Sequence, residues 1–556
     1  MLNDITTGER RAFYILIIIC IAVYISGWFI PLMEVDAVQY ANISREMLLH
    51  KSFLQVYDQG RDYLDKPPML FWLSSLSMYL FGINDIAYRL PSFLFSILAI
   101  YSTYRLALLY YSEKLALLGA LILASCQAMF LINHDVRTDT MLMGWVILSL
   151  WQLAEWLEHK KWQNLVIASV AIAGGMLTKG PVALMIIVFA FVPHLLLTRR
   201  FKDFFRWQYL VMLVIIALLL VPMSVGLYMQ FDLHSEKTVN GLQHVSGLRF
   251  FYWTQSFGRI TGENVWHEND SFLFLFQNML WSFLPWVLLF SAGLIYSVKL
   301  LAGKKFLLQQ HEEYISTGGF IITYCALASS RAQLPHYIFV VFPLAAIITA
   351  RVVYVLLYAG NSSRLKKTVF ITHAIILSLL AVVVLLLLWL PFPPVNWLLV
   401  TLFIIACAVT VLAIVKKWLA APRLLILLAG GAACINLFLN TGFYRQLLQY
   451  QTGIGVTEAI SRRHIDKLRF FVYDIDAGRS LDFYGNYSFP RVTDTSAIKP
   501  GGCLLTSLKG YNSLNKSNYQ LIYTGQSFHV TTLTLKFLNP ATRGTKTQPY
   551  YIVRKL

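Results

Sequence analysis

Apolar segments long enough to cross a membrane recur along the first 440 residues of the chain. They make the 556 residues 57% hydrophobic and only 13% charged, whereas soluble domains carry about 25% charged residues. Because about 20 apolar residues cross the ~30 Å hydrocarbon core of a bilayer, each segment predicts a helical span. The sequence therefore predicts a polytopic α-helical membrane protein with thirteen spans, at residues 13–32, 86–110, 115–132, 140–157, 164–178, 182–197, 207–227, 273–298, 314–329, 337–358, 368–390, 396–415 and 423–440.

Basic residues are concentrated in alternate loops between these segments. Arg10 and Arg11 precede the first span, which predicts a cytoplasmic N-terminus by the positive-inside rule. With thirteen spans, five more basic clusters fall on the cytoplasmic side: Lys160-Lys161, Arg199-Arg200-Lys202, Lys304-Lys305, Arg364-Lys366-Lys367 and Lys416-Lys417. A net charge of +18 distributed in this way sets membrane orientation and does not predict nucleic-acid binding.

Residues 441–556 differ in composition from the rest of the chain. They contain strand-like alternation in KLRFFVYDI, YQLIYTG, HVTTLTLKF and PYYIVRKL, and no apolar run long enough to span a membrane. We therefore expect a small soluble α/β domain at 441–556 after a transmembrane domain at 1–440. Thirteen spans from a cytoplasmic N-terminus place this domain on the external side.

Two external loops, residues 34–85 and 228–272, carry most of the polar residues of that side. In the first loop, Tyr40 recurs with Ile43 and Met47 at helical spacing, which predicts a helix at 37–49 along the membrane surface. A second helix is predicted to begin at Asp65-Lys66-Pro67-Pro68, because proline is tolerated in a first turn. Asp36 with Gln39 also fits a capping box, and Asp65 fits an N-cap, so a purely structural role stays open for both aspartates.

Several motifs in these loops point to one family. They are D-x-x-x-Y-A-x-I-S-R-E-M from Asp36, G-R-x-Y-x-D-K-P-P-x-x-x-W from Gly60, Asp139, T-K-G-P around Lys179, F-x-R around Arg259 and L-P-H-Y around Tyr337. Together they resemble the polyprenyl-phosphate-sugar-dependent glycosyltransferases of the GT-C fold. Within that group the lipid A 4-amino-4-deoxy-L-arabinose transferases are most alike, and the protein O-mannosyltransferases are more distant. The resemblance covers most of residues 10–440.

The sequence departs from that family at a few positions. Asp36-Ala37 stands where the family usually has an acidic pair, and Asp65-Lys66-Pro67 where it often has Glu-Lys-Pro. Ser256 and Gln333 stand where the aminoarabinose enzymes tend to carry histidine and lysine. The identity of the sugar therefore stays open.

The resemblance implies an inverting transfer at the external face of the bacterial inner membrane. A sugar on a polyprenyl phosphate leaves behind a phosphate anion, so cations are needed there, and Lys66 and Arg259 are the candidates. Asp36 is the candidate base for the acceptor, with Asp139 as a second carboxylate. The remaining candidate substrate-binding residues are Tyr40, Tyr63, Asp65, Tyr337 and Lys179.

Several questions stay open at this stage. The acceptor is lipid A or a hydroxyl of a protein or glycan, and membrane lipids surround the protein. No cofactor is certain, although a divalent cation at Asp36 or Asp65 is compatible with oxygen ligands. The alternative function is a transporter or flippase of lipid-linked sugars. It is disfavoured because the charged candidates cluster in loops of one face and not at the bilayer midplane.

The predicted orientation can be tested with a topology reporter. A reporter fused after Leu556 should be active only on the periplasmic side, because an odd number of spans follows a cytoplasmic N-terminus. A fusion in the 199–202 loop serves as the cytoplasmic control. A cytoplasmic signal from the C-terminal fusion would contradict the span count.

Overall fold

The computed structural model describes residues 5–234, 236–239, 241–261, 263, 271–309, 312–360 and 362–556, without the side chains of Arg259 and Ile260. The numbering covers α-helices of six or more residues and leaves out shorter α-helices and all 3-10 and π-helical segments. The helices are α1 (Thr7–Ser26), α2 (Asp36–His50), α3 (Met69–Phe81), α4 (Asp85–Tyr110), α5 (Glu113–Ser125), α6 (Gln127–Ile132), α7 (Thr138–His159), α8 (Trp162–Lys179), α9 (Val182–Leu197), α10 (Gln208–Leu227), α11 (Phe274–Ser282), α12 (Val287–Gly303), α13 (Ile315–Ala328), α14 (Phe342–Tyr354), α15 (Ser363–Trp389), α16 (Trp397–Lys416), α17 (Gly431–Phe438), α18 (Thr452–Arg462), α19 (Ser480–Gly485) and α20 (Leu508–Ser513).

Eight helical segments in the described ranges are long and apolar enough to cross a membrane. They are Thr7–Phe29, Asp85–Tyr110, Thr138–His159, Gln208–Asp232, Pro335–Ala359, Ser363–Trp389, Trp397–Lys416 and Arg423–Tyr450. Each of the thirteen predicted spans contains at least one helix, but some helices are short or broken. Residues 273–298 form α11 and α12 on either side of Pro285, which lacks the N–H that a continuous helix needs. The protein is thus a multi-pass membrane protein, and the count of thirteen crossings stays a prediction.

The helices pack through close backbone approaches in the middle of the bundle. A Cβ at Gly144 on α7 would lie 2.9 Å from the carbonyl oxygen of Phe95 on α4. A Cβ at Gly293 on α12 would lie 2.7 Å from the carbonyl oxygen of Ile348 on α14. Small residues at such crossings allow helices to associate in lipid, where apolar surfaces gain little from burial against each other. The buried core therefore centres on α4, α5, α7, α8 and α14.

The C-terminal part of the chain forms a four-stranded sheet with helices beside it. Its strands are β5 (Phe470–Tyr473), β6 (Cys503–Ser507), β7 (Tyr519–Ser527) and β8 (Gln548–Lys555), after the short hairpins β1 (Tyr57–Asp58) with β2 (Arg61–Asp62) and β3 (Thr238–Val239) with β4 (Leu242–Gln243). The sheet order is β5-β6-β8-β7, with β5 parallel to β6 and the other pairs antiparallel. The preceding helical segment continues to Tyr450, so the boundary at 441 stays a prediction.

The first external loop folds as a layer between the bundle and the C-terminal domain. Helix α2 matches the predicted 37–49, but residues 40–47 are buried, so protein and not lipid headgroups covers it. The turn at Gln59-Gly60 joins β1 to β2 with positive φ at both residues, as a tight hairpin turn requires. This hairpin lies between the C-terminal domain and the second external loop.

Both capping interpretations of the aspartates are wrong. The N-cap of α2 is Val35, without a side-chain hydrogen bond, and Gln39 donates instead to Asp58 at 2.8 Å. Helix α3 begins at Met69, after Pro68 at its N-cap, and not at Asp65. The reason is the Pro67-Pro68 pair, since each proline disfavours helical backbone in the residue before it.

Candidate active site

One arginine joins the first external loop to the start of α7. Arg137 donates through Nη1 to Asp36 in a short hydrogen bond, and its Nε lies 2.9 Å from Oδ2 of Asp135. Asp135 is 5% exposed and Asp36 is 31% exposed at the side chain. Asp36 therefore faces solvent while its orientation is fixed by a cation that also neutralises a buried carboxylate.

The pKa shifts of this trio follow from burial and charge. Burial raises the pKa of Asp135, and Arg137 opposes that shift. Burial alone would lower the pKa of Arg137, but the two carboxylates more than compensate and the net shift is upward. Arg137 is therefore held as a permanent cation between two carboxylates.

A second ionic group lies two residues further along the same segment. Nζ of Lys179, the last residue of α8, is 2.5 Å from Oδ1 of Asp139 on α7. The same ammonium group lies 3.8 Å from the centre of the Tyr337 ring, and Nε2 of His336 lies 3.6 Å from Oδ2 of Asp139. One short segment, from Asp135 to Asp139, therefore contributes residues to two neighbouring ionic groups. Asp135 and Arg137 belong to the group with Asp36, and Asp139 belongs to the group with Lys179.

The second ionic group lines a cleft of about 780 Å³. Its polar end contains Lys66, Asp139, Lys179, Gln255, Ser256 and Tyr337, and its apolar wall comes from α9 and α13 with Val182, Met185, Ile186, Phe189 and Leu327. Gln255 donates to the backbone carbonyl of Asp65, which ties the second external loop to the first. A cleft that is charged at one end and apolar along its wall matches an amphiphile with a polar head and a hydrocarbon tail.

Two buried tyrosines lie close to Asp36. The Tyr40 and Tyr63 rings pack against Phe71 with centroids 5.8 and 5.9 Å away. Burial raises the pKa of both phenols, and the charge of Asp36 acts in the same direction on each. Both tyrosines therefore stay neutral hydrogen-bonding groups beside this carboxylate.

The structure thus divides the predicted residues into two adjacent groups. Lys66, Asp139, Lys179 and Tyr337 line the cleft, whereas Asp36, Tyr40 and Tyr63 surround the Arg137 trio, and Asp65 contributes its carbonyl to the junction between the loops. The side chain of Arg259 lies outside what the structure describes. The roles of all nine residues stay predictions.

Sequence reasoning missed Arg137, Gln255 and His336. The run Asp135-Val-Arg137-Thr-Asp139 was visible as a charged external loop, but its pairing with Asp36 joins residues 101 positions apart. His336 stands inside the L-P-H-Y motif, yet only its neighbour Tyr337 was selected. Within the described ranges no group of three or more His, Cys, Asp or Glu side chains could hold a metal ion.

Comparison with solved structures identifies the fold. ArnT from Cupriavidus metallidurans bound to undecaprenyl phosphate superposes with a TM-score of 0.71 at 17% identity, over 92% of this chain and 96% of that one. Its apo form gives 0.71 at 16% identity, over 98% and 97%. The fold is therefore the GT-C fold, as predicted, with a small sheet domain at its C-terminus.

Comparison of sequences confirms the resemblance to the aminoarabinose transferases. The sequence model of the family described as "Dolichyl-phosphate-mannose-protein mannosyltransferase" matches residues 65–225 of this chain. The undecaprenyl phosphate-alpha-4-amino-4-deoxy-L-arabinose arabinosyl transferases of Erwinia tasmaniensis and Wigglesworthia glossinidia brevipalpis are each 27% identical, over 64% and 58% of this chain. The alignments span 62% and 55% of the relatives' own lengths.

The bridging role of Arg137 predicts a large loss of stability when it is removed. Arg137→Gln leaves the buried Asp135 without its cation, and an uncompensated buried charge costs about 3–5 kcal/mol. We expect a clear fall in the unfolding midpoint of the purified protein. Asp135→Asn in the same chain should recover part of it, because the buried group is then neutral.

The matched control is Arg462→Gln, which removes an exposed helical ion pair with Glu458. Exposed pairs contribute about 0–1 kcal/mol, so its midpoint should hardly move. Equal midpoints for Arg137→Gln and Arg462→Gln would show that Arg137 does not hold this part of the fold together.

Proposed function

We propose that the protein is an inverting GT-C glycosyltransferase that moves a sugar from undecaprenyl phosphate to an acceptor, with lipid A as the first acceptor to test. The observation that carries this proposal is the amphiphilic cleft, whose polar end contains Asp139, two residues from the Arg137 that holds Asp36. The GT-C fold supports it, and so does the arabinosyl transferase activity for which the similar enzymes are named. The reaction is proposed to occur at the periplasmic face of the bacterial inner membrane.

Lys66 is the described cleft cation best suited to the donor phosphate. Lys179 is already neutralised by Asp139 at 2.5 Å. Lys66 lines the same polar end, and the described residues give it no ion-pair partner. Its ammonium group can therefore meet a phosphate oxygen without first breaking an internal pair, and the proposal places Arg259 at the same phosphate.

The chemical step is a single displacement. The acceptor oxygen attacks the anomeric carbon while the bond from that carbon to the phosphate oxygen breaks, and the phosphate keeps the electron pair as an anion. Asp36 takes the proton of the acceptor, and the hydrogen bond from Arg137 orients this carboxylate. One displacement inverts the anomeric configuration.

A transfer assay in detergent distinguishes this function from transport of lipid-linked sugars. The purified chain is incubated with an undecaprenyl phosphate-linked sugar and lipid A, and the product is identified by mass spectrometry. The first sugar to test is 4-amino-4-deoxy-L-arabinose, because it is the sugar in the names of the similar enzymes. Transfer needs no sealed vesicle, whereas transport has no product in detergent. Movement of the donor across vesicles without any transfer would contradict the proposal.

Asp36→Asn should abolish most of the turnover of folded enzyme. A positioned base contributes about 10²- to 10⁴-fold in rate, and the amide cannot take a proton. Turnover is measured per folded molecule, with binding of undecaprenyl phosphate as a check that the donor cleft is intact. Asp466→Asn, on the exposed surface of the C-terminal domain, is the control. Unchanged turnover in Asp36→Asn would exclude this residue as the base.

Lys66→Ala and Arg259→Ala should each weaken binding of undecaprenyl phosphate. Hydrogen bonds to charged groups contribute about 1.5–3 kcal/mol, which corresponds to roughly 10- to 100-fold in affinity. Arg259→Lys should restore only part of the affinity, because ammonium cannot form two parallel hydrogen bonds. Arg61→Ala, an exposed cation of the same first loop, is the control. Normal binding in both single variants would place the donor phosphate elsewhere.

A further inference from the structure

A second set of cations lies far from the candidate active site. Lys366 and Lys367 stand near the start of α15, and Arg423 stands at the start of the segment Arg423–Tyr450. The chain contains no aspartate or glutamate between Glu313 and Glu458. In the described part of the chain none of the three cations forms an ion pair, and Lys366 donates only to the carbonyl of Leu357 at 3.1 Å.

The opposite end of α15 fixes where these cations lie. Just beyond Trp389, the carbonyl of Pro391 accepts a hydrogen bond from Arg543 of the C-terminal domain. Helix α15 has 27 residues, so its first turn lies roughly 40 Å from that domain at 1.5 Å per residue. The cations are therefore at the end of α15 that points away from the C-terminal domain.

An open apolar groove leads to these cations. Helices α15 and α16 and the segment Arg423–Tyr450 enclose about 1150 Å³, lined by residues such as Leu377, Ala381, Cys407, Ile414 and Cys434. A second pocket of about 790 Å³ contains Lys366, Lys367 and Arg423 with Leu356 and Leu357. Phe370 and Arg423 line both, so the groove and the basic pocket are continuous.

Neither pocket shares a residue with the donor cleft. That cleft is formed by α7, α8, α9 and α13, whereas the groove is formed by elements after residue 355. Helices α15 and α16 are also the least covered by protein, with only 17% of their most apolar windows buried against 83% for α7. Lipid can therefore enter the groove from the side.

We propose that this groove binds a two-chain anionic phospholipid, with its acyl chains between α15 and α16 and its phosphate at Lys366, Lys367 and Arg423. Apolar walls with basic residues at one end complement both parts of such a lipid, and basic pockets between membrane helices on the cytoplasmic side bind anionic headgroups. The lipid binding itself does not depend on the predicted membrane orientation of the protein. That orientation only assigns the lipid to the cytoplasmic leaflet.

Binding can be measured on the purified full-length chain by native mass spectrometry. We expect dioleoylphosphatidylglycerol to bind more tightly than dioleoylphosphatidylcholine. Replacing Lys366, Lys367 and Arg423 together by glutamine should weaken phosphatidylglycerol binding on the order of 100-fold, because each basic residue near an anionic lipid contributes roughly fivefold. Ser378→Trp, on the exposed face of the groove, should also weaken it by obstructing the chains.

The matched control removes three exposed cations of other basic loops that are predicted to be cytoplasmic, Lys161, Arg199 and Lys202, and should leave the affinity unchanged. Binding of undecaprenyl phosphate should be normal in the triple glutamine variant, so a failure here is separate from a failure of the proposed function. Equal affinity for the two phospholipids, or normal phosphatidylglycerol binding in the triple variant, overturns the proposal. Competition by glycerol phosphate alone would identify a site for free phosphate. Competition by undecaprenyl phosphate would identify a second donor site. Either result also overturns the phospholipid proposal.

Discussion

The ion pair between Arg137 and Asp36 is the contact on which the candidate site depends. Asp36 lies in a loop that is separated from α7 by the three helices α4, α5 and α6, and it is 101 residues from Arg137 in the chain. Helices α2 and α3 of this loop share a buried apolar cluster that also includes Val136 and Phe483, and ionic contacts add to this packing. Arg137 supplies one such contact at the residue where chemistry is proposed, and the buried Asp135 fixes the arginine in turn.

The C-terminal domain fixes the other side of the same loop. Arg479 lies 3.1 Å from Asp58 at the hairpin, Gln59 donates to Asp482 at 2.6 Å, and the Tyr484 hydroxyl accepts from the backbone N–H of Leu32. The far strand of the hairpin continues the connection, since Asp62 contacts Gln230 and Lys237 of the second external loop. The hairpin is thus the point at which three separate parts of the chain meet over the site.

The sequence was informative wherever the physics is local. Hydrophobic runs located each of the eight helical segments in the described ranges that are long enough to span, because spanning length and apolar composition are properties of a single segment. Alternation located β5, β7 and β8 for the same reason. The prediction of a strand in HVTTLTLKF was wrong, because residues 529–534 form a turn and loop before a short helix, and β6 (Cys503–Ser507) was missed because its residues are buried in a short apolar run without alternation. The start of α3 was placed too early because the preference for proline in a first turn was applied to two prolines in succession, each of which restricts the residue before it.

Residues that act through distant partners could not be found in this way. The candidate carboxylates were selected from motifs, but nothing near Asp36 in the sequence indicates that Arg137 holds it or that Tyr484 covers the loop before it. The burial of α2 shows the same limit, because its apolar spacing fits a membrane surface and a protein interior equally well. Helix α2 is covered by α3 of the same loop and by α19 of the C-terminal domain, more than 400 residues away.

The two faces of the molecule use charge in different ways. Around the candidate site, Arg137 and Lys179 are each balanced by a carboxylate, so most of the positive charge there serves to position groups. Lys66 is the exception among the described cleft residues, since no described carboxylate forms an ion pair with it, and a phosphate would supply a counter-charge there. At the opposite face, Lys366, Lys367 and Arg423 form no ion pair within the described residues, so the membrane or the solvent can supply their counter-charge. Binding of two different lipids through their phosphate groups requires this arrangement. In each of the two proposed sites, cations without a described ion-pair partner lie at the polar end of an apolar cleft or groove.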